Sequence, residues 1–283
     1  MAQELSFSFE LFPPRTPEGA AKLPVVVKKL ALLQPKYFSV TFGAGGSNQA
    51  GTYETVVQVV RDTGIEAAPH LTCVGSTREK IRALLDQYKA AGIRRIVALR
   101  GDLPATAAGS EAPGEFRYAN ELVAFIRETH ADYFRVEVAG YPEMHPQSTD
   151  PHTDFENFTR KVKAGADCAL TQYFFNPQAY FDFANRCARA GLTLPIIPGI
   201  MPITNFIQLA RFSDACGADI PRWIRLRLEH LQHDKAALQD FGLAVVTQLC
   251  ETLLSNGAPG LHFYTLNQSE PTLRLWRNLG LPA

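Results

Sequence analysis

Short apolar runs recur along the chain, each stopped by polar residues and each followed by a longer stretch in which apolar residues return every three or four positions. Ile96 to Leu99 is the clearest run: too brief for a helix, rich in β-branched residues, and ended by Arg100, Gly101, Asp102 and Pro104. Such a run reads as a strand covered on both faces. The same pattern predicts strands at Leu5–Glu10, Tyr37–Phe42, Glu66–Thr72, Arg95–Leu99, Arg135–Gly140, Cys168–Phe174, Leu194–Gly199 and Gly260–Leu266. Helical periodicity fills the intervals at Glu18–Leu33, Tyr53–Asp62, Thr77–Ala91, Arg117–Thr129, Asp154–Ala164, Pro177–Ala190, Asn205–Cys216 and Lys235–Asn256, and Glu270–Leu279 closes the chain. Gly92, Gly165, Gly191 and Gly257 follow helical runs where a left-handed cap is wanted, and Thr77 and Pro177 read as helix starts.

Eight strands alternating with helices fit a doubly wound sheet or a closed barrel. No G-x-G-x-x-G follows the first strand, and eight is the number at which an α/β barrel closes. The expected fold is therefore α/β, a (β/α)8 TIM barrel forming a single domain over residues 1–283. Gly217–Asp234 adds a turn and a short helix, and Pro104–Glu115 is a loop rich in Ala, Gly and Pro.

Composition narrows the function classes. The 28 basic and 28 acidic side chains cancel, which argues against nucleic acid as the main partner. No apolar stretch is long enough to span a membrane and no signal-peptide succession opens the chain, so a cytoplasmic protein without a membrane partner is expected. The five cysteines, Cys73, Cys168, Cys187, Cys216 and Cys250, are odd in number and widely spaced, which suits neither a disulfide framework nor a zinc site. Cys168 and Cys250 read as small core residues, and no metal is expected.

Barrel enzymes gather their chemistry where strands end. Those ends supply Glu10, Thr41, Phe42, His70, Arg100, Gly101, Asp102, Tyr141, His145, Gln172 and Tyr264. Each has a plainer reading. Arg100 and Asp102 could cap a loop, Glu10 could face a charged structural partner, and His70 could be a satisfied core histidine. Tyr118, Tyr141 and Tyr264 could be rim packing, and Asn157, Arg160 and Lys161 a solvated helix face.

The segments FSFELFPPRT, SVTFGAGG, EAAPHLTC, IVALRGDLP, YPEMHP, TQYFF, PGIMP and HFYTLN, in this order and spacing, resemble the methylenetetrahydrofolate reductases over nearly the whole chain. The length matches the single-barrel bacterial form. The resemblance implies non-covalent FAD in the barrel mouth, reduced by NADH or NADPH. A ping-pong exchange then reduces 5,10-methylenetetrahydrofolate to 5-methyltetrahydrofolate. It implies Glu10 as the acid that opens the folate ring and Asp102 as the negative charge beside the resulting cation. FAD contacts carried over are Thr41, Phe42, His70, Arg100, Gly101, Asp102, Ala119, Tyr141, His145, Ser148, Asp154, Asn157, Arg160 and Lys161. Substrate contacts are Glu10, Thr41, Asp102, Gln172, Gln208, Phe212, Tyr264 and Gln268, with Gln268 standing where many relatives carry arginine. A homo-oligomer is implied as well. Rival readings are another flavin barrel of the proline dehydrogenase kind and a non-catalytic flavin-binding subunit.

Overall fold

The structure, a computed structural model, describes residues 5–42, 49–101 and 114–282. Eight parallel strands close into a barrel in sequence order: β1 (Ser6–Leu11), β2 (Tyr37–Val40), β3 (Ala67–Thr72), β4 (Arg95–Leu99), β5 (Arg135–Gly140), β6 (Cys168–Tyr173), β7 (Ile196–Ile200) and β8 (Gly260–Tyr264). Closure is made by β1 and β8, with Ser8 level with His262 and Glu10 level with Tyr264. The described helices are α1 (Pro17–Ala31), α2 (Gln49–Thr63), α3 (Arg78–Ala90), α4 (Ala119–His130), α5 (Pro151–Lys163), α6 (Pro177–Arg189), α7 (Phe206–Cys216), α8 (Arg222–Leu231), α9 (Lys235–Ser255) and α10 (Ser269–Asn278).

Strand alternation divides the buried residues into two sets. Outward residues such as Phe9, Leu11, Phe38 and Val138 pack against the helices in the large outer core. Inward residues Tyr37, Ala68, Val97, Cys168, Leu170 and Ile197 fill the barrel itself. Cys168 and Cys250 are both buried, as the sequence suggests.

Helix starts follow from their capping chemistry. The Thr77 hydroxyl accepts from the Lys80 N–H, and Asn176 precedes Pro177 and accepts from Gln178. Asp150 caps α5 with Pro151 at its first position, so this helix begins three residues before the sequence periodicity shows it. Gly92, Gly165, Gly191 and Gly257 all have positive φ at helix ends.

Other boundaries differ from the sequence reading. Strand β2 ends at Val40 rather than Phe42, β6 at Tyr173, and β7 runs two residues later than expected at its start. Strand β8 stops at Tyr264 because Leu266 and Asn267 turn to φ values of 50° and 53°. Helix α2 begins at Gln49, ahead of Tyr53, and α4 at Ala119, behind Arg117. The short helix expected within Gly217–Asp234 is α8.

Candidate active site

Alternation along each strand decides what reaches the mouth. With Phe9 and Leu11 turned outward, β1 turns Ser8 and Glu10 inward. By the same rule β3 presents His70 and Thr72, β6 presents Leu170 and Gln172, and β8 presents His262 and Tyr264. All but Ser8 and His262 line one cavity of about 590 Å3 at the carboxyl ends of the strands.

Glu10 is set into the wall of this cavity, its side chain 20% exposed. His70 Nε2 stands 3.5 Å from its Oε2 and His262 Nε2 stands 3.8 Å away. Both nitrogens are buried without a hydrogen-bond partner. Burial pushes the His70 imidazole below its usual pKa; the Glu10 charge opposes this and His262 adds to it. Among the described residues Glu10 is thus flanked by imidazoles and makes no ion pair with an arginine or lysine. The backbone at Glu10 is pinned from β8: Thr265 Oγ1 donates to its carbonyl at 2.5 Å, and Asn267 exchanges two hydrogen bonds with Phe12.

The opposite wall is cationic. Lys161 on α5 reaches inward and donates to the Ala139 carbonyl at 2.5 Å, and burial lowers its pKa to about 8, the Asp154 charge opposing. Arg100 donates to Gln147 Oε1 at 2.5 Å and to the Gly101 carbonyl, and has no carboxylate partner among the described residues. Two cations meeting neutral acceptors at a cavity wall suit an anionic ligand such as a diphosphate.

Two glycines make the shape possible. A Cβ on Gly199 would lie 2.7 Å from the Tyr264 ring, whose hydroxyl crosses to donate to the Thr171 carbonyl at 2.7 Å. Gly101 has a φ of 88°, and a Cβ there would meet Thr72 at 2.9 Å.

Of the residues singled out in the sequence, Glu10, Thr41, Phe42, His70, Arg100 and Gly101 line the cavity. So do Ala119, Tyr141, His145, Lys161, Gln172, Phe212 and Tyr264. Asp102 lies outside the described residues, as does most of the loop after Pro104. The remaining described ones are not brought to the cavity. Asp154 accepts from the His145 N–H and so holds the loop after β5. Ser148 keeps a buried hydroxyl without a partner. Asn157 and Arg160 are exposed on α5 and bond to each other at 3.0 Å. Gln208 is exposed on the first turn of α7. Gln268 lines a separate crevice of about 140 Å3 between α9 and α10, together with Arg274.

The sequence reading passed over His262, although its placement two residues before Tyr264 on one strand carries the signal. It also passed over Glu137, which is 1% exposed and faces Arg95 at 2.6 Å inside the barrel.

A sequence model of the family described as methylenetetrahydrofolate reductase matches residues 1–280. The chain is 41% identical over 278 residues to the 5,10-methylenetetrahydrofolate reductase of Salmonella typhimurium, covering 98% of this chain and 92% of that one. The chain belongs to the methylenetetrahydrofolate reductase family. A methylenetetrahydrofolate reductase of Escherichia coli is 40% identical with the same coverage. A probable methylenetetrahydrofolate reductase (NADH) of Oryza sativa is 38% identical, matched over 97% of this chain and 48% of its own length. Among solved structures, an uncharacterized Clostridium thermocellum protein that binds two copies of 5-methyl-5,6,7,8-tetrahydrofolic acid superposes with a TM-score of 0.66 at 15% identity, covering 98% of this chain and 96% of that one. That likeness shows the fold. The family match thus runs from end to end of the barrel, which carries Glu10 and His70 in the wall of its mouth and His262 buried beside them.

Proposed function

We propose that the protein reduces 5,10-methylenetetrahydrofolate to 5-methyltetrahydrofolate by a ping-pong reaction through non-covalent FAD. The observation that carries this reading is one cavity with an imidazole-flanked carboxyl on one wall and, on another, two cations that form no ion pair with a carboxylate among the described residues. Lys161 and Arg100 would hold the diphosphate, with Tyr141, His145 and Ala119 beside it. FAD, when bound, supplies the hydride carrier between NADH or NADPH and the folate.

Glu10 delivers a proton to the folate nitrogen that departs when the five-membered ring opens, leaving a cationic iminium carbon to accept hydride. Asp102 is proposed as the charge that stabilises this cation. Tyr264, level with Glu10 on the neighbouring strand, and Gln172 in the same cavity orient the pterin, while Phe212 on α7 offers a ring for stacking on either planar substrate. Family resemblance further supports a single-barrel homo-oligomer working in the cytoplasm.

The test is spectroscopic. The purified protein should be yellow, bleach anaerobically with NADH or NADPH, and recover its colour with methylenetetrahydrofolate. Bleaching by proline instead, or bleaching without recovery by the folate, would overturn the reading.

A further inference from the structure

Strand β6 spends one residue more than β7 on the way to the mouth. Leu170 is level with Ile197, and both fill the barrel. Unbroken pairing would next set Gln172 level with Gly199, but Tyr173 holds that place. Thr171 and Gln172 therefore form a bulge, a device that re-aims a side chain where pairing is interrupted.

The bulge is held by groups from three strands. The Gly199 N–H on β7 donates to the Thr171 hydroxyl at 2.9 Å, and the Tyr264 hydroxyl on β8 donates to the Thr171 carbonyl at 2.7 Å. Burial holds the Tyr264 phenol well above its usual pKa, so that hydrogen stays in place. Gln172 Oε1 accepts from the Tyr173 N–H at 2.9 Å. Thr171 is fully buried, while Gln172 reaches the cavity wall. A Cβ on Gly199 would overlap the Thr171 carbonyl oxygen and the Tyr264 ring, so glycine is what lets the three strands meet this closely.

We propose that Thr171 is a positioning residue for Gln172: its hydroxyl takes the Gly199 N–H and so keeps open the bulge that sets Gln172 in the cavity wall. The inference rests on the reading of Gln172 as a substrate contact. Alternation alone brings Gln172 to the inner face. On an unbroken ladder, however, it would lie level with Gly199, where the Tyr264 ring crosses. A valine at this position keeps the β-branched shape of threonine but offers the Gly199 N–H no acceptor. That N–H then turns back to the main chain, and the ladder closes over the bulge.

Steady-state kinetics of FAD-bound Thr171→Val and Thr171→Ser test this. Thr171→Val should raise the KM for methylenetetrahydrofolate roughly tenfold, the scale of one hydrogen bond, with a much smaller change in kcat. Its FAD retention on dilution should match the wild type. Thr171→Ser keeps the hydroxyl and should keep the wild-type KM. On a Gln172→Ala background Thr171→Val should add nothing, because the contact it disturbs is already gone. A wild-type KM in Thr171→Val, FAD loss in its place, no rescue by serine, or a fully additive effect on the Gln172→Ala background overturns the proposal. Thr171→Ala carries the same forecast should the valine variant not fold. A crystal structure of the variant lacking the hydroxyl decides the geometry without any folate: Gln172 is expected to have left the Tyr173 N–H, and an unmoved Gln172 overturns the proposal. Failure of the functional reading looks different, since Gln172→Ala alone would then leave the folate KM unchanged.

Discussion

Lys161 shows how one residue ties packing to ligand choice. Its ammonium is enclosed at the cavity wall against a carbonyl, and burial lowers its pKa to about 8. The cation, present below that value, is the form that attracts a phosphate oxygen. FAD affinity of the protein should therefore weaken as pH rises above about 8, with a bound anion moving the midpoint upward. Lys161→Met should bind FAD more weakly at pH 7 and lose this pH dependence. Titration of the apoprotein by flavin fluorescence at several pH values checks both, and a pH-independent wild type would contradict the assignment. The residue was legible from the sequence only through family resemblance, since a lysine on a charged helix face defaults to solvent. What could not be read was that its amine crosses to the Ala139 carbonyl while its neighbours Asn157 and Arg160 stay outside.

At the scale of elements, α5 carries Lys161 and is joined to β6 by a tight turn. Arg127 on α4 clamps that turn, donating through Nε and Nη2 to the Gly165 carbonyl at 2.9 and 2.8 Å and pairing with Asp167 at 2.6 Å. Asp167 in turn accepts from the Val136 N–H, so helix end, turn and β5 move together. Ala166 packs partly buried inside this clamp. Ala166→Val adds two methyl groups there, and overpacking of this kind costs about 1 to 3 kcal/mol. The cost should appear as faster FAD loss on dilution, because the displaced helix holds the Lys161 amine. Equal FAD retention by mutant and wild type, followed by fluorescence, would contradict this coupling. Elements were the most legible scale in the sequence: Thr77, Pro177 and the capping glycines sit where they were expected. Errors fell where a local device overrode periodicity, as with the Asp150 cap on α5 and the left-handed Leu266 and Asn267 after β8.

Over the whole molecule, the alternation of strands with helical segments, interrupted only by the extra helix before β8, made the closed barrel readable, because apolar runs of this kind are covered on both faces in a parallel sheet. The residues gathered at the mouth were readable for the same reason, since strand ends point one way. A polar cluster inside the barrel was not. Tyr37, Arg95 and Glu137 lie on three different strands, and only closure brings a tyrosine, an arginine and a glutamate from those strands into contact. Asp102 remains a proposed member of the site from sequence alone, outside the described residues.

The central claim is that Glu10 serves the folate half of the reaction, since hydride transfer from a nicotinamide to a flavin opens no ring. Stopped-flow absorbance of Glu10→Gln, followed at the flavin band in each half-reaction, tests it most directly. The account predicts bleaching by NADH or NADPH near the wild-type rate, and reoxidation by methylenetetrahydrofolate slowed by at least roughly 100-fold, as expected for loss of a general acid. Equal loss of both half-reactions with FAD still bound, or full reoxidation by the folate, would contradict it.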